Sequence, residues 1–126
     1  MSPRRLVGIP RFVIHQHQTP DGVHWDFMMQ EGHRLLTWRL PVRPEHIDNQ
    51  AIETEMIFDH PLRFLTYEGP VQNQTGNVQI VDRGTYTLLK RDGSHFLMEL
   101  AGDILRGRFH IIHHSLNDWI FQRVVE

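Results

Sequence analysis

Arg11-Phe-Val-Ile-His-Gln-His-Gln-Thr-Pro-Asp-Gly-Val-His-Trp-Asp-Phe-Met-Met-Gln30 is the stretch that decides the fold class. From Val23 to Met29 the odd positions Val23, Trp25, Phe27 and Met29 are apolar. The even positions His24, Asp26 and Gln30 are polar, with Met28 alone out of pattern. Period two is the mark of a half-buried strand, so His24 and Asp26 project from one face. Upstream, His15 and His17 share one face of a shorter extended run, and Pro20-Asp21-Gly22 between the runs is a turn signal. A hairpin there returns His17 beside His24 and Asp26. Two imidazoles and a carboxylate form a three-donor set for a divalent metal with coordination positions left open. The His-x-Asp pair alone fits a solvated strand face better than a metal site; His17 across the turn is what brings the metal reading level with it.

Working outward, strand-like runs recur at 11–17, 23–30, 34–40, 54–58, 77–81, 85–90, 95–100, 103–113 and 117–124, with Gly-containing turn chemistry at Glu31-Gly32, Asp82-Arg83-Gly84, Asp92-Gly93 and Ala101-Gly102. The spacing predicts an all-β fold, an antiparallel barrel or sandwich. One helix is expected between residues 44 and 55, with Pro44 as its first residue. The long connections 41–52 and 68–77 are where binding determinants would gather, the second with the uncharged run Gln72-Asn-Gln-Thr-Gly76. Residues 1–10 read as an N-terminal arm and 11–126 as a single domain.

Without cysteine the chain has no disulfide or thiolate ligand, and a metal must use imidazole and oxygen donors. That donor set suits Mn²⁺, Zn²⁺ or Fe²⁺. No apolar run approaches the roughly 20 residues that cross a bilayer, and Leu6 to Pro10 is too short for a signal-peptide core, so the expectation is a cytoplasmic protein without membrane contact. The net charge of −2 gives no global pull toward nucleic acid. Locally, Arg106, Arg108 and His110 alternate on one strand face, either as a phosphate-binding stripe or as an ordinary solvated exterior. His15 is either a phosphate contact or a group orienting a metal ligand. Arg106 and His110 are the further candidate substrate contacts.

Phe12-Val-Ile-x-x-His17 followed by Val23-His-Trp-Asp-Phe27 resembles the metal motif of the 3'-phosphoesterase domain of bacterial DNA ligase D, roughly F-V-V-Q-x-H, a turn, then L-H-Y-D-F-R-L-E. Thr37-Trp-Arg-Leu-Pro41 is similar to S-W-A-V-P, and Phe58-Asp-His-Pro-Leu62 with Tyr67-Glu-Gly69 to E-D-H-P-L and F-E-G. Val78-Gln-Ile-Val-Asp-Arg-Gly-Thr-Tyr86, Glu99 to Phe109 and Trp119-Ile120 continue the resemblance in order. It implies a small barrel of about eight strands with at most one or two short helices. It further implies Mn²⁺, with Zn²⁺ as the other option, on His17, His24 and Asp26, and a catalytic or phosphate-contacting role for His60. The departures fall on phosphate-gripping positions: Met28, Ile52 and Phe64 stand where the family has arginine, arginine and tyrosine, Val42 where it has lysine, and His15 where it has glutamine.

Two functional readings follow. One is a metal-dependent phosphoesterase, a hydrolase of DNA repair acting on a phosphate ester at a DNA or RNA 3' end. The other is a non-catalytic barrel that keeps its metal and binds nucleic-acid ends or a separately encoded ligase or polymerase. The retained ligands and His60 favour the first; the lost arginines and tyrosine favour the second.

Overall fold

Period-two alternation of apolar and polar residues builds the strands, and two four-stranded antiparallel runs, one from each half of the chain, join edge to edge on both sides to close a ring. The structure, a computed structural model, describes residues 9–47, 50–71 and 76–125. Its strands are β1 (Arg11–Thr19), β2 (Gly22–Glu31), β3 (Arg34–Leu40), β4 (Ile52–Pro61), β5 (Gly69–Pro70), β6 (Asn77–Asp92), β7 (His95–Gly102), β8 (Arg106–Ser115) and β9 (Asp118–Arg123). They form one sheet ordered β1-β2-β3-β4-β9-β8-β7-β6-β5, and β1 also pairs with β6. Eight strands therefore close a ring and β5 is a two-residue attachment to β6. Every pairing is antiparallel. The all-β antiparallel barrel expected from the sequence is the fold observed.

One face of each strand fills the ring. Phe12, Ile14, Phe27, Met29, Trp38, Phe96, Phe109, Trp119 and Phe121 belong to one buried cluster. The opposite face of β1 and β2 carries a second, smaller cluster of Val13, Met28, Leu35 and Leu65. Leu65 comes from the 3-10 turn Leu62–Leu65 folded over this face. Met28, out of pattern in the sequence, is apolar because this second cluster buries it.

Three local expectations are corrected. The helix placed between 44 and 55 is a single 3-10 turn, Pro44–His46, and strand has begun by Ile52. There Ile52 and Met56 pack on the main cluster and the buried Thr54 donates its hydroxyl to Trp119 O. The runs 77–81 and 85–90 are one 16-residue strand, β6, and Asp82-Arg83-Gly84 is no turn. Gly84 sits where β6 passes from pairing with β1 to pairing with β7. A Cβ on Gly84 would lie 2.0 Å from Ala101 O, so only glycine lets the strands approach there. Finally, Gly69–Pro70 forms a strand in a segment expected to be loop. Residues 1–8, with Arg4 and Arg5 of the expected arm, and 72–75 of the uncharged loop lie outside the described residues.

Candidate metal centre

The β1–β2 hairpin turns through Pro20-Asp21. Thr19 pairs with Gly22, and the Thr19 hydroxyl donates to Gly22 O while accepting from the Asp21 N–H. Gly22 has a φ of 137°, which only glycine adopts without strain. The resulting register sets His17 opposite His24 and His15 opposite Asp26. The donor atoms converge as the sequence pattern led one to expect. His17 Nδ1 is 3.0 Å from His24 Nε2, His24 Nε2 is 3.5 Å from Asp26 Oδ2, and His17 Nδ1 is 3.9 Å from Asp26 Oδ2. The point equidistant from the corners of that triangle lies about 2.0 Å from each, which matches the bond lengths of a first-row transition metal to imidazole nitrogen and carboxylate oxygen. The three donor atoms are spaced for a single divalent ion.

Asp26 is buried, which works to raise its pKa. The hydrogen bond and charge of His24, with those of Arg39, outweigh burial and hold the carboxyl below its usual 3.8. Arg39 Nε donates to Asp26 Oδ1 at 3.3 Å, so the two carboxylate oxygens are divided between the guanidinium and the imidazoles. His17 and Asp26 line a cavity of about 420 Å³ together with His15, Arg39, His60 and Arg63, while His24 and Arg39 face an adjoining open depression.

His60 lies at the end of β4, held on three sides. Its Nδ1 is 3.1 Å from Phe58 O and 3.0 Å from Thr37 Oγ1. The carbonyl only accepts, so Nδ1 carries the proton and the neutral ring keeps its lone pair on Nε2. Thr37, fully buried on β3, passes its own hydroxyl proton to Leu35 O. The ring stacks on Phe58 and meets Phe64 edge-on. Burial pulls the His60 pKa below 6.5, and the Asp26 charge only partly offsets that.

His15 is buried beside this group, its Nε2 donating to Phe64 O at 2.8 Å. Burial likewise lowers its pKa against that bond. His15 thus props the Leu62–Leu65 turn from beneath. Phe64, at the family's tyrosine position, touches both His15 and His60. Ile52 packs on the main cluster and does not line the cavity.

The other two candidates are elsewhere. Arg106 and His110 are on β8, three strands round the ring from β1. Arg106 Nη1 donates to Gly102 O, His110 packs on His95, and neither lines the cavity. Two arginines that the sequence did not single out do line it, Arg39 and Arg63. Arg39 was within reach of sequence reasoning, because counting back from the Gly32-His33 turn sets it opposite Asp26. Arg63 carries no such signal, since a 3-10 turn has no sheet register.

A family model described as DNA Ligase D 3'-phosphoesterase domain matches residues 15–113. The multifunctional non-homologous end joining protein LigD of Pseudomonas aeruginosa is 30% identical over an alignment 127 positions long that covers 91% of this chain. The match takes in 15% of that relative's length, so the chain corresponds to one portion of it. From the match, the shared order of motifs and the convergence of His17, His24 and Asp26 on one face of the barrel, the chain belongs to the DNA ligase D 3'-phosphoesterase domain family.

Proposed function

We propose that this chain is a divalent-metal-dependent phosphoesterase that removes phosphate from a nucleic-acid 3' end, with Mn²⁺ or Zn²⁺ on His17, His24 and Asp26. The observation that carries the reading is the donor triangle, two corners of which, His17 and Asp26, open on the same cavity as His60. A bound divalent ion would supply Lewis acidity toward a phosphoryl oxygen and lower the pKa of water. The chain's own residues orient and neutralise. Asp26 stays ionised at neutral pH and is fixed by Arg39. His60, anchored through Nδ1, keeps Nε2 for the substrate. In the free protein that nitrogen is an acceptor. A phosphoryl dianion beside it favours the imidazolium, so substrate binding brings in a proton that Nε2 then donates to a phosphoryl or leaving oxygen.

The test is phosphate release from DNA carrying a 3'-phosphate, and nucleoside release followed by phosphate release from DNA carrying a 3'-terminal ribonucleotide, across a Mn²⁺, Zn²⁺ and metal-free series. Release should need the metal and vanish in His17→Ala. Metal binding without release from any end would assign the chain to the non-catalytic reading.

A further inference from the structure

Three side chains that line the cavity have no substrate contact in the proposed chemistry and could supply one: Arg39, Arg63 and Phe58. Arg39 spends Nε on Asp26 Oδ1; among the described residues its terminal Nη fork has no partner. The guanidinium carbon of Arg63 stands 4.9 Å from the centre of the Phe64 ring and 5.7 Å from that of Tyr67. Such stacking holds a guanidinium by its face and leaves its edge donors for a ligand. Arg63 meets no carboxylate among the described residues, and Asp26 is the one acidic residue of those lining the cavity. The lining is therefore cationic before any metal enters, which suits a phosphate.

Phe58 is 74% exposed, an unusual position for a phenyl ring. Its ring lies against His60 with centroids 4.9 Å apart and planes within 12°. One face is thereby fixed and the other is turned away from the imidazole, the arrangement on which a nucleobase stacks. In the motifs quoted above, Phe58 and Arg39 stand where the family has glutamate and alanine. The same cavity that lacks a guanidinium at Met28 thus has one at Arg39.

We infer that this cavity takes a nucleotide 3' end in two parts: Arg39 and Arg63 grip the terminal phosphate, and Phe58 stacks the terminal base. The inference rests on the phosphoesterase reading for the identity of the ligand, though not for its turnover. The test measures binding of single-stranded DNA by fluorescence anisotropy, with Mn²⁺ present and three 3' ends: a non-hydrolysable phosphonate on a base-bearing nucleotide, the same phosphonate on an abasic sugar, and a hydroxyl on a base-bearing nucleotide. The full chain should prefer the phosphonate over the hydroxyl end by about tenfold or more, as expected for charge-assisted hydrogen bonds. Arg63→Ala should remove most of that preference and leave hydroxyl-end binding nearly unchanged. Arg39→Gln should act in the same direction, with metal titration alongside because Arg39 touches Asp26. Phe58→Ala should weaken both base-bearing ends by roughly 5- to 100-fold, the range of one base–aromatic stack, and spare the abasic end; Phe58→Trp should restore them. Equal wild-type binding of phosphonate and hydroxyl ends, a preference that survives Arg63→Ala, or an abasic end weakened as much by Phe58→Ala would each overturn the inference. Since no step of this assay needs hydrolysis, lack of turnover would sink the phosphoesterase reading alone.

Discussion

Arg39 Nε and Asp26 Oδ1 are 3.3 Å apart across the β2–β3 pairing, while Asp26 Oδ2 faces His17 and His24. The carboxylate is thus oriented from behind by a cation and presents one oxygen to the metal position. An arginine so close to a metal position costs some cation affinity by repulsion. In return it keeps a buried carboxyl ionised and fixes its rotamer, and it adds positive charge where a phosphate would sit.

Metal addition should stabilise the protein. An ion that binds the folded chain alone at 100 times its Kd adds about 2.7 kcal/mol, which is roughly a 10 °C rise in Tm for a domain of this size. Scanning calorimetry with Mn²⁺ and Zn²⁺ should show that rise in the wild type and lose it in His24→Ala and Asp26→Ala. Identical shifts in wild type and His24→Ala would place the ion elsewhere.

The donor triangle was legible because both of its determinants are local: a two-residue period and a turn signal fix which side chains face each other across one hairpin. The barrel was legible for the same reason, repeated from hairpin to hairpin. What failed depended on distant partners. Pro44-Glu45 starts a helical turn in either context, but Ile52, Thr54 and Met56 are claimed by the core and by β9, so the turn cannot extend. Asp82-Gly84 carries turn chemistry because aspartate normally bonds nearby backbone N–H groups. Here Asp82 takes most of its bonds from a segment 21 to 23 residues away. Arg106 and His110 alternate correctly on their strand, yet ring closure puts that strand far from β1.

Asp82 should prove a principal structural anchor outside the site. It is 1% exposed, and its carboxylate accepts the N–H groups of Arg83, Asp103, Ile104 and Leu105 at 2.8–2.9 Å. It ties the β7–β8 connection to β6. Asp82→Ala strands these donors in a buried place and should cost about 3–5 kcal/mol by urea unfolding. Asp82→Asn keeps two acceptor lone pairs and should cost less. Loss below about 1 kcal/mol in Asp82→Ala would show that water replaces the carboxylate.

Met28→Arg should trade stability for activity. Met28 is 1% exposed, packed with Val13, Leu35 and Leu65, but also borders the cavity on the same strand face as Asp26. An arginine there loses apolar packing and partly buries a charge, which should lower stability by about 1–3 kcal/mol. Its guanidinium can extend into the cavity toward a phosphoryl group, so turnover of 3'-phosphate ends should rise. A variant that is less stable and no more active would show that the second cluster holds the side chain away from the substrate.

His60 should govern both rate and acid stability. Its folded-state pKa lies below the unfolded value of 6.5 because burial disfavours the imidazolium. Between those two pKa values the unfolded chain binds the proton and the folded chain does not, so stability rises with pH. The contribution is complete above about pH 6.5 and is lost as pH falls from there through the folded pKa. His15 and His95 are shifted the same way by burial and act with the same sign. The Tm of the metal-free protein should therefore fall between pH 7 and pH 5, and His60→Gln should make that fall shallower without abolishing it. In the rate assay, His60→Ala should lower turnover by roughly 10²–10⁴-fold with metal affinity nearly unchanged. Thr37→Val removes the hydroxyl at Nδ1 but leaves the Phe58 carbonyl in place, so it should cost only about tenfold, through a less firmly oriented ring. Full activity in His60→Ala would take this residue out of the chemistry. A Thr37→Val loss as large as that of His60→Ala would mean that orientation through Nδ1, rather than the Nε2 proton, is what the reaction requires.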